Sequence, residues 1–205
     1  SIQYENDDVM KPIWGDDYSI CCCVSATQTG KEIQFFGARA NLAKCMLYAI
    51  NGGRDEMSGE QIAPRFAPIT GDYLTYEEFM PKFEQMMRWL AKTYVNALKI
   101  IHYMHDKYDY EAFEMSLHDG DVERTRATGI AGLSIVADSI AAMKNCRIRI
   151  IRDESGLAVD YKIEEGEYMP FGNNCDETDE IAVSLTETFM EYLRQHRTYR
   201  DAVPT

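Results

Sequence analysis

The sequence contains little positive charge and no long apolar run. Lysine and arginine together number 21 against 34 acidic residues, which leaves a net charge of −13. Nucleic acids and anionic membranes bind basic surfaces, so this imbalance argues against both as partners. No stretch of about 18 apolar residues is present, so no segment is predicted to span a bilayer. An anionic substrate stays open, because a few local arginines can hold one inside an acidic protein.

A secretory leader is also missing, since no charged segment followed by an apolar run is visible near the start. The chain does not begin with Met, and we expect both ends to be cuts in a longer polypeptide. The missing leader therefore says little about compartment. The six cysteines show neither C-x-x-C spacing nor a pattern typical of secreted proteins, which favours a reducing compartment with free thiols.

Hydrophobic periodicity predicts a mostly helical segment with few strands. Predicted helices cover residues 40–50, 75–108, 111–117, 128–143 and 179–195. Predicted strands cover residues 31–36, 147–151 and 157–164, the last two as a hairpin, and residues 1–30 and 54–74 are predicted to be mostly loop. Pro81 is expected to kink the first turns of the long helix. The apolar helix at 128–143 should be buried in a larger body, so we expect the isolated span to fold poorly.

Three consecutive cysteines, Cys21, Cys22 and Cys23, form the most informative local feature. Neighbouring side chains on extended backbone point to opposite faces, so adjacent sulfurs cannot share one metal ion or easily bond to each other. They can instead divide a single reaction between two thiols on one short loop. A role as small buried hydrophobes stays open, as does a thiolate nucleophile paired with a histidine base. For the remaining cysteines we expect only burial: Cys45, Cys146 and Cys175.

Arg39 lies among apolar residues just before a predicted helix. An enclosed guanidinium must be paired, and its planar fork matches a carboxylate bidentately, although a solvated or salt-bridged role stays open. His102 and His105 are three residues apart on one helix, but no third ligand motif accompanies them, so core or capping roles are favoured and no metal site is predicted. His118 lies at the end of a predicted helix, where two roles stay open: it caps the helix, or it faces a ligand.

Seven stretches of the sequence resemble the pyruvate formate-lyase family of glycyl-radical enzymes. The likeness runs nearly end to end through this chain but covers only a middle section of the family's longer polypeptide. The stretches are SICCCVS, QFFGARANLAK, LYAINGG, IIHYMHDKY, GIAGLS, IRDESGLA and TYRDAVP.

The resemblance implies an α/β fold, in which this chain is a mostly helical segment of a ten-stranded barrel. Two antiparallel half-sheets would be wrapped by helices, with the cysteines on an internal finger loop and one peripheral hairpin. Residues 1–205 would be an internal part of a single catalytic domain that lacks its N-terminal portion and its C-terminal glycyl-radical domain. The implied activity is that of a formate C-acetyltransferase, which converts pyruvate and coenzyme A to acetyl-coenzyme A and formate.

The resemblance also implies roles for five residues. Cys22 matches the thiol that attacks the pyruvate carbonyl and carries the acetyl group, and Cys23 matches the thiol that exchanges a hydrogen atom with the glycyl radical. Arg39 matches a carboxylate clamp, Phe36 lines the same pocket, and His118 lies near the coenzyme A adenine. Related lyases and dehydratases keep only one such cysteine, so the double thiol selects acyl transfer.

The family implies partners that lie outside this chain. No cofactor is expected to bind in this segment, the glycyl radical would lie on a missing segment, and coenzyme A would be a co-substrate. A radical-SAM activating enzyme and a homodimer are also implied. The location would be the cytoplasm in a bacterium, with a mitochondrion or chloroplast open in a eukaryote.

The sequence departs from the family pattern at several points. Cys21 is an extra thiol without an assigned role, and Arg54 and Pro81 are unexpected. The glycyl-radical motif RVSGY is absent, so the chain alone should have no lyase activity. Two enzyme alternatives remain, a 2-oxobutyrate formate-lyase or another glycyl-radical lyase. A non-catalytic helical scaffold or thiol redox sensor is the alternative from another class.

Overall fold

The computed structural model describes residues 11–21 and 25–205. Their α-helices are α1 (Lys11–Trp14), α2 (Leu42–Ile50), α3 (Tyr76–Asp106), α4 (Tyr110–Glu114), α5 (Leu133–Asn145) and α6 (Asp176–Arg194). Their strands are β1 (Tyr18–Cys21), β2 (Ser25–Gln28), β3 (Glu32–Phe35), β4 (Ala40–Asn41), β5 (Tyr73–Leu74), β6 (Glu123–Arg126), β7 (Ile130–Ala131), β8 (Arg147–Arg152), β9 (Ala158–Glu165) and β10 (Val203–Pro204). Short 3₁₀ turns lie at Met115–Leu117 and Tyr199–Asp201.

The strands pair into small sheets of mixed direction. β1 and β2 form an antiparallel hairpin, and β4 pairs with β7 in parallel. β3, β6 and β10 form a parallel sheet with β6 at its centre, whereas β5, β8 and β9 form an antiparallel one with β8 at its centre. The described residues therefore have mixed α/β content. No sheet closes into a barrel within them, and the ten-stranded barrel stays a prediction.

The chain divides into two compact units. The first comprises the described residues of Ser1–Ala38 together with Val95–Thr128 and His196–Thr205. The second comprises Arg39–Tyr94 and Gly129–Gln195. The long helix α3 contributes residues to both.

The core of the first unit lies on the parallel sheet. Ile33 and Phe35 alternate inward from β3, as the period of two along a strand requires, and Leu98 of α3 is fully buried. Opposite Phe35 in register is Arg126 of β6, which is also fully buried. A buried arginine in a core this small requires polar partners within the same unit.

The second unit has a larger apolar core, built from α2, the first half of α3, α5, α6 and the antiparallel sheet. Fully burying each large apolar side chain contributes about 1.5–3 kcal/mol. The first half of α3 supplies a stripe of buried residues at helical spacing: Phe79, Phe83, Met86, Met87, Ala91 and Tyr94.

Most predicted helices are confirmed, with shifts at their ends. α2 begins at Leu42 because Asn41 caps it, its side-chain oxygen accepting a hydrogen bond from the Lys44 amide at 3.0 Å. α3 is one continuous element across Pro81, and the kink expected in its first turns stays a prediction. The predicted helix at 111–117 is a short α-helix followed by a 3₁₀ turn.

The helix predicted at 128–143 begins five residues later in the structure. α5 begins at Leu133, because the preceding residues pair as β7 and Gly132 adopts a φ of 79° that interrupts a helical path. Its surface is not buried all round, since Ile135 is 56% exposed. The remaining strand predictions at 31–36, 147–151 and 157–164 are confirmed as β3, β8 and β9.

Within residues 11–21 and 25–205, no helix has the length and apolar character needed to cross a membrane.

Candidate active site

The cysteine run begins at the last residue of the first strand. β1 ends at Cys21 and β2 begins at Ser25, and these two residues face each other in the antiparallel register. Cys22 and Cys23 lie outside the described residues, as does the predicted finger loop. Their assigned chemistry therefore stays a prediction.

The other cysteines differ in their burial. Cys45 is buried on α2, and desolvation raises the pKa of its thiol well above the usual range, so it remains an uncharged core residue. Cys146 and Cys175 are only half-buried, which corrects the expectation that all three are core residues. Desolvation also raises the pKa of Cys146.

Arg39 opens the second unit immediately before β4. Its neighbour Ala40 donates its amide hydrogen to the Gly129 carbonyl at 3.0 Å, and β4 then pairs in parallel with β7. The Arg39 side chain is exposed in this chain, so the enclosed setting expected from its apolar neighbours is not found. The apolar side chains beside it in sequence do not enclose it within its own unit.

The stem of Arg39 lies directly on the backbone of Gly129. A β-carbon built on residue 129 would be 3.1 Å from Arg39 Cγ, which is closer than ordinary van der Waals contact. The Gly129 carbonyl also accepts a hydrogen bond from the Tyr94 hydroxyl at 3.3 Å. The glycine therefore provides both a hydrogen-bonded anchor for this segment and a flat surface on which the arginine stem rests.

Phe36 follows β3 in the first unit and is 43% exposed. The next residue, Gly37, lies against α3, and a β-carbon there would be 2.9 Å from Leu98 Cδ2. A side chain at this position would have to displace the tip of the Leu98 side chain, and no positive φ is involved. Phe36 therefore lies between the end of β3 and this close approach to α3.

His118 is half-buried, and backbone carbonyls face both of its ring nitrogens. Nδ1 lies 2.6 Å from the Glu114 oxygen, and Nε2 lies 3.1 Å from the Glu32 oxygen of β3. A single neutral tautomer can donate to only one of them. The predicted cap role is confirmed, because Glu114 ends α4. Because carbonyl oxygens face both nitrogens, the ring can offer a ligand chiefly its face.

A buried polar cluster is centred on His102, and none of the sites predicted from the sequence includes it. His102 Nε2 lies 2.9 Å from Glu111 Oε1, and Arg126 donates from Nη2 to His102 Nδ1 at 3.1 Å. These bonds select the tautomer with its proton on Nε2. Burial lowers the pKa of His102, and Arg126 lowers it further, against the opposing effect of Glu111. The Phe35 ring stacks on the imidazole with centroids 4.3 Å apart.

A second carboxylate extends this cluster toward the C-terminal 3₁₀ turn. The Tyr199 hydroxyl and Arg200 Nη2 each donate to Asp106 Oδ2 at 2.7 Å. Desolvation raises the pKa of Asp106, but these hydrogen bonds outweigh it and leave the pKa below its ordinary value. The sequence signal for this cluster is the spacing of Arg124 and Arg126 in β6. Side chains two residues apart on a strand lie on the same face, so a buried strand places both arginines toward the core.

No group of three or more His, Cys, Asp or Glu side chains in the described parts of the chain is arranged to hold a metal ion. His102 and His105 do not act as a pair, since His102 is bound into the polar cluster while His105 is exposed and contacts the edge of Phe35.

Comparison with known proteins identifies relatives over the whole chain. The family model described as pyruvate formate lyase-like matches residues 1–205. Formate acetyltransferase 1 of Escherichia coli (strain K12) is 59% identical over 206 residues, an alignment that covers 100% of this chain and 27% of that protein. The chain therefore spans about a quarter of the length of this relative.

Solved structures share the fold at low sequence identity. An enzyme of 1,2-propanediol dehydration from Roseburia inulinivorans has a TM-score of 0.73 and 19% identity, covering 94% of this chain and 28% of that one. Hydroxyproline dehydratase from Clostridioides difficile has a TM-score of 0.67 and 17% identity, covering 89% and 26%. A glycyl radical enzyme from Archaeoglobus fulgidus has a TM-score of 0.64 and 14% identity, covering 88% and 26%.

Proposed function

The chain belongs to the pyruvate formate lyase-like family, and we propose that the complete polypeptide is a formate C-acetyltransferase. It would convert pyruvate and coenzyme A to acetyl-coenzyme A and formate. The observation that carries this proposal is the 59% identity to formate acetyltransferase 1, which extends over the entire chain rather than over one motif. This chain would be an internal part of that enzyme's single catalytic domain, within a ten-stranded barrel.

The two adjacent thiols would divide the chemistry. Cys22 adds to the pyruvate carbonyl and retains the acetyl group after the carbon–carbon bond breaks. Cys23 supplies the hydrogen that completes formate. The glycyl radical on a segment outside this chain would supply the unpaired electron for this homolytic step. Two thiols adjacent in the sequence would both lie within reach of a single substrate, which is the proximity contribution to the rate.

Arg39 would hold the carboxylate of pyruvate. A guanidinium presents two parallel N–H donors that match the two carboxylate oxygens, and such charge-assisted pairs are stronger than neutral hydrogen bonds. The backbone of Gly129 fixes the course of the Arg39 stem. Phe36, exposed beyond the end of β3, would line the apolar side of the same pocket.

His118 would contact the adenine of coenzyme A. Because backbone carbonyls face both ring nitrogens, the remaining interaction available to a base is stacking on the imidazole face. Coenzyme A acts here as a co-substrate that accepts the acetyl group. We also propose that the complete enzyme is activated by a radical-SAM enzyme and forms a homodimer. In a bacterium its location would be the cytoplasm.

Anaerobic assay of the activated full-length enzyme tests the division of labour. Cys22→Ser and Cys23→Ser should each abolish formate production from pyruvate, whereas Cys21→Ser, a matched change at the extra thiol, should retain it. If both variants keep formate production, the catalytic assignment fails and a scaffold or redox-sensor role gains support. Running the wild type on 2-oxobutyrate in parallel decides which ketoacid is preferred.

A further inference from the structure

The short helix α4 has an unusual source of stability. It contains five residues, and its N-cap residue Asp109 adopts a φ of 63° without a side-chain capping bond. An isolated helix of this length is unstable in water, so tertiary contacts must hold it. Phe113 on this helix is 75% exposed, and the only buried side chain of α4 is the carboxylate of Glu111.

The Glu111 carboxylate is satisfied by three partners from three other elements. His102 of α3 lies 2.9 Å from Oε1, and Arg124 of β6 donates from Nε to Oε2 at 3.0 Å. Arg200 of the C-terminal 3₁₀ turn approaches Oε2 at 3.3 Å. The side chain is only 3% exposed. A buried carboxylate tolerates desolvation only when it is paired in this way, so Glu111 fixes α4 in one position.

The position of α4 in turn sets the position of His118. The ring Nδ1 lies 2.6 Å from the carbonyl of Glu114, the last residue of α4, and the His118 amide donates to the Met115 carbonyl at 3.2 Å. On its other side, Nε2 contacts Glu32 of β3. The imidazole therefore bridges α4 and β3, and a shift of α4 would turn or release the ring.

We propose that Glu111 is a positioning residue for the coenzyme A site, acting through α4 on the ring of His118. This inference rests on the proposed function. Glu111 is buried among its partners and would not touch coenzyme A itself. Its role would be to orient the face of the His118 ring that stacks on the adenine, and it would take no part in the chemical steps.

The two halves of the proposed reaction separate this role from a general structural one. Exchange of labelled formate into pyruvate needs acetyl transfer to the enzyme but no coenzyme A. In the full-length enzyme, Glu111→Gln should raise the KM for coenzyme A about tenfold. The rate of formate–pyruvate exchange without coenzyme A should stay within about twofold of the wild type. A variant that is merely destabilised would lose both activities together.

Glu114→Gln is the matched control, because it makes the same change on the same helix at a carboxylate that forms no hydrogen bond or ion pair with the described residues. It should leave the KM for coenzyme A unchanged. Arg124→Gln provides a second variant, since Arg124 is partly exposed and donates to Glu111, and its removal should raise the same KM by a smaller factor.

An unchanged KM for coenzyme A in a folded Glu111→Gln enzyme overturns the inference. Should that variant fail to fold, an unchanged KM in Arg124→Gln overturns it instead. Absence of formate–pyruvate exchange in the activated wild type would refute the proposed function itself, and this inference with it.

Discussion

Arg39 rests on Gly129, with 3.1 Å between Arg39 Cγ and the position that a β-carbon of residue 129 would occupy. The two residues are 90 positions apart in sequence, and the pairing of β4 with β7 brings them together. No sequence motif links them. If Arg39 clamps a carboxylate, then Gly129 determines where the clamp stands, although it contributes no polar side chain.

Adding one methyl group at this contact tests that relationship. Gly129→Ala in the full-length enzyme should push the Arg39 stem aside by a few tenths of an ångström and lower kcat/KM for pyruvate about tenfold, because a misplaced clamp misorients the substrate. Gly71→Ala is the control, since a β-carbon there would meet only the Tyr73 carbonyl at an ordinary 3.7 Å. Equal kcat/KM values for the two variants would contradict the assigned role of Gly129.

His102 should make stability depend on pH. Burial lowers its pKa in the folded protein, so below about pH 6.5 the unfolded chain binds a proton that the folded chain does not. The stabilising contribution is therefore present above pH 6.5 and is lost as the pH falls through the lowered pKa. His102→Gln keeps one donor and one acceptor but cannot titrate. Thermal unfolding between pH 8 and 5.5 should show a steeper loss of Tm in the wild type, and parallel curves would contradict this.

Asn51 joins the end of α2 to β9 by two buried hydrogen bonds with Ala158. Its Nδ2 donates to the Ala158 carbonyl at 3.1 Å, and its Oδ1 accepts from the Ala158 amide at 2.9 Å. Asn51→Ala removes both of these buried bonds, so the free energy of opening at the Ala158 amide should fall by about 2 kcal/mol. Native-state hydrogen exchange measures this. Asn173→Ala, which removes an exposed bond to Pro170, should leave exchange at Ala158 unaltered.

Two glycines with positive φ separate backbone strain from steric collision. A β-carbon on Gly156 (φ 81°) would meet open space, whereas one on Gly166 (φ 91°) would collide with the Asn145 carbonyl oxygen and approach Cys146 Cα to 2.8 Å. Gly156→Ala should lower the free energy of unfolding by about 1 kcal/mol, and Gly166→Ala by at least about 3 kcal/mol. Chemical denaturation of both variants compares them. Similar losses of unfolding free energy in the two variants would contradict this, and would show that the backbone at residues 145–146 shifts at little cost.

Local patterns predicted the long elements well. The apolar residues at helical spacing from Phe79 to Tyr94 predicted α3. The alternation of apolar and polar residues predicted the β8–β9 hairpin, because periodicity reports directly on which face is buried. The start of α5 was missed because pairing of β7 with β4 depends on a partner 90 residues away. The burial of Glu111 and Arg126 was missed for the same reason, since a charged residue is expected outside until its partners are known.

The sequence alone determined which family the chain resembles, which thiols stand side by side and where the main helices and the hairpin lie, since these depend on residue identity and short-range spacing. Only the tertiary structure decided that His118 faces two carbonyls, that Glu111 anchors a five-residue helix and that Arg39 lies on a glycine. Each of these depends on contacts between residues distant in the chain, and their geometry follows from packing rather than from any local preference.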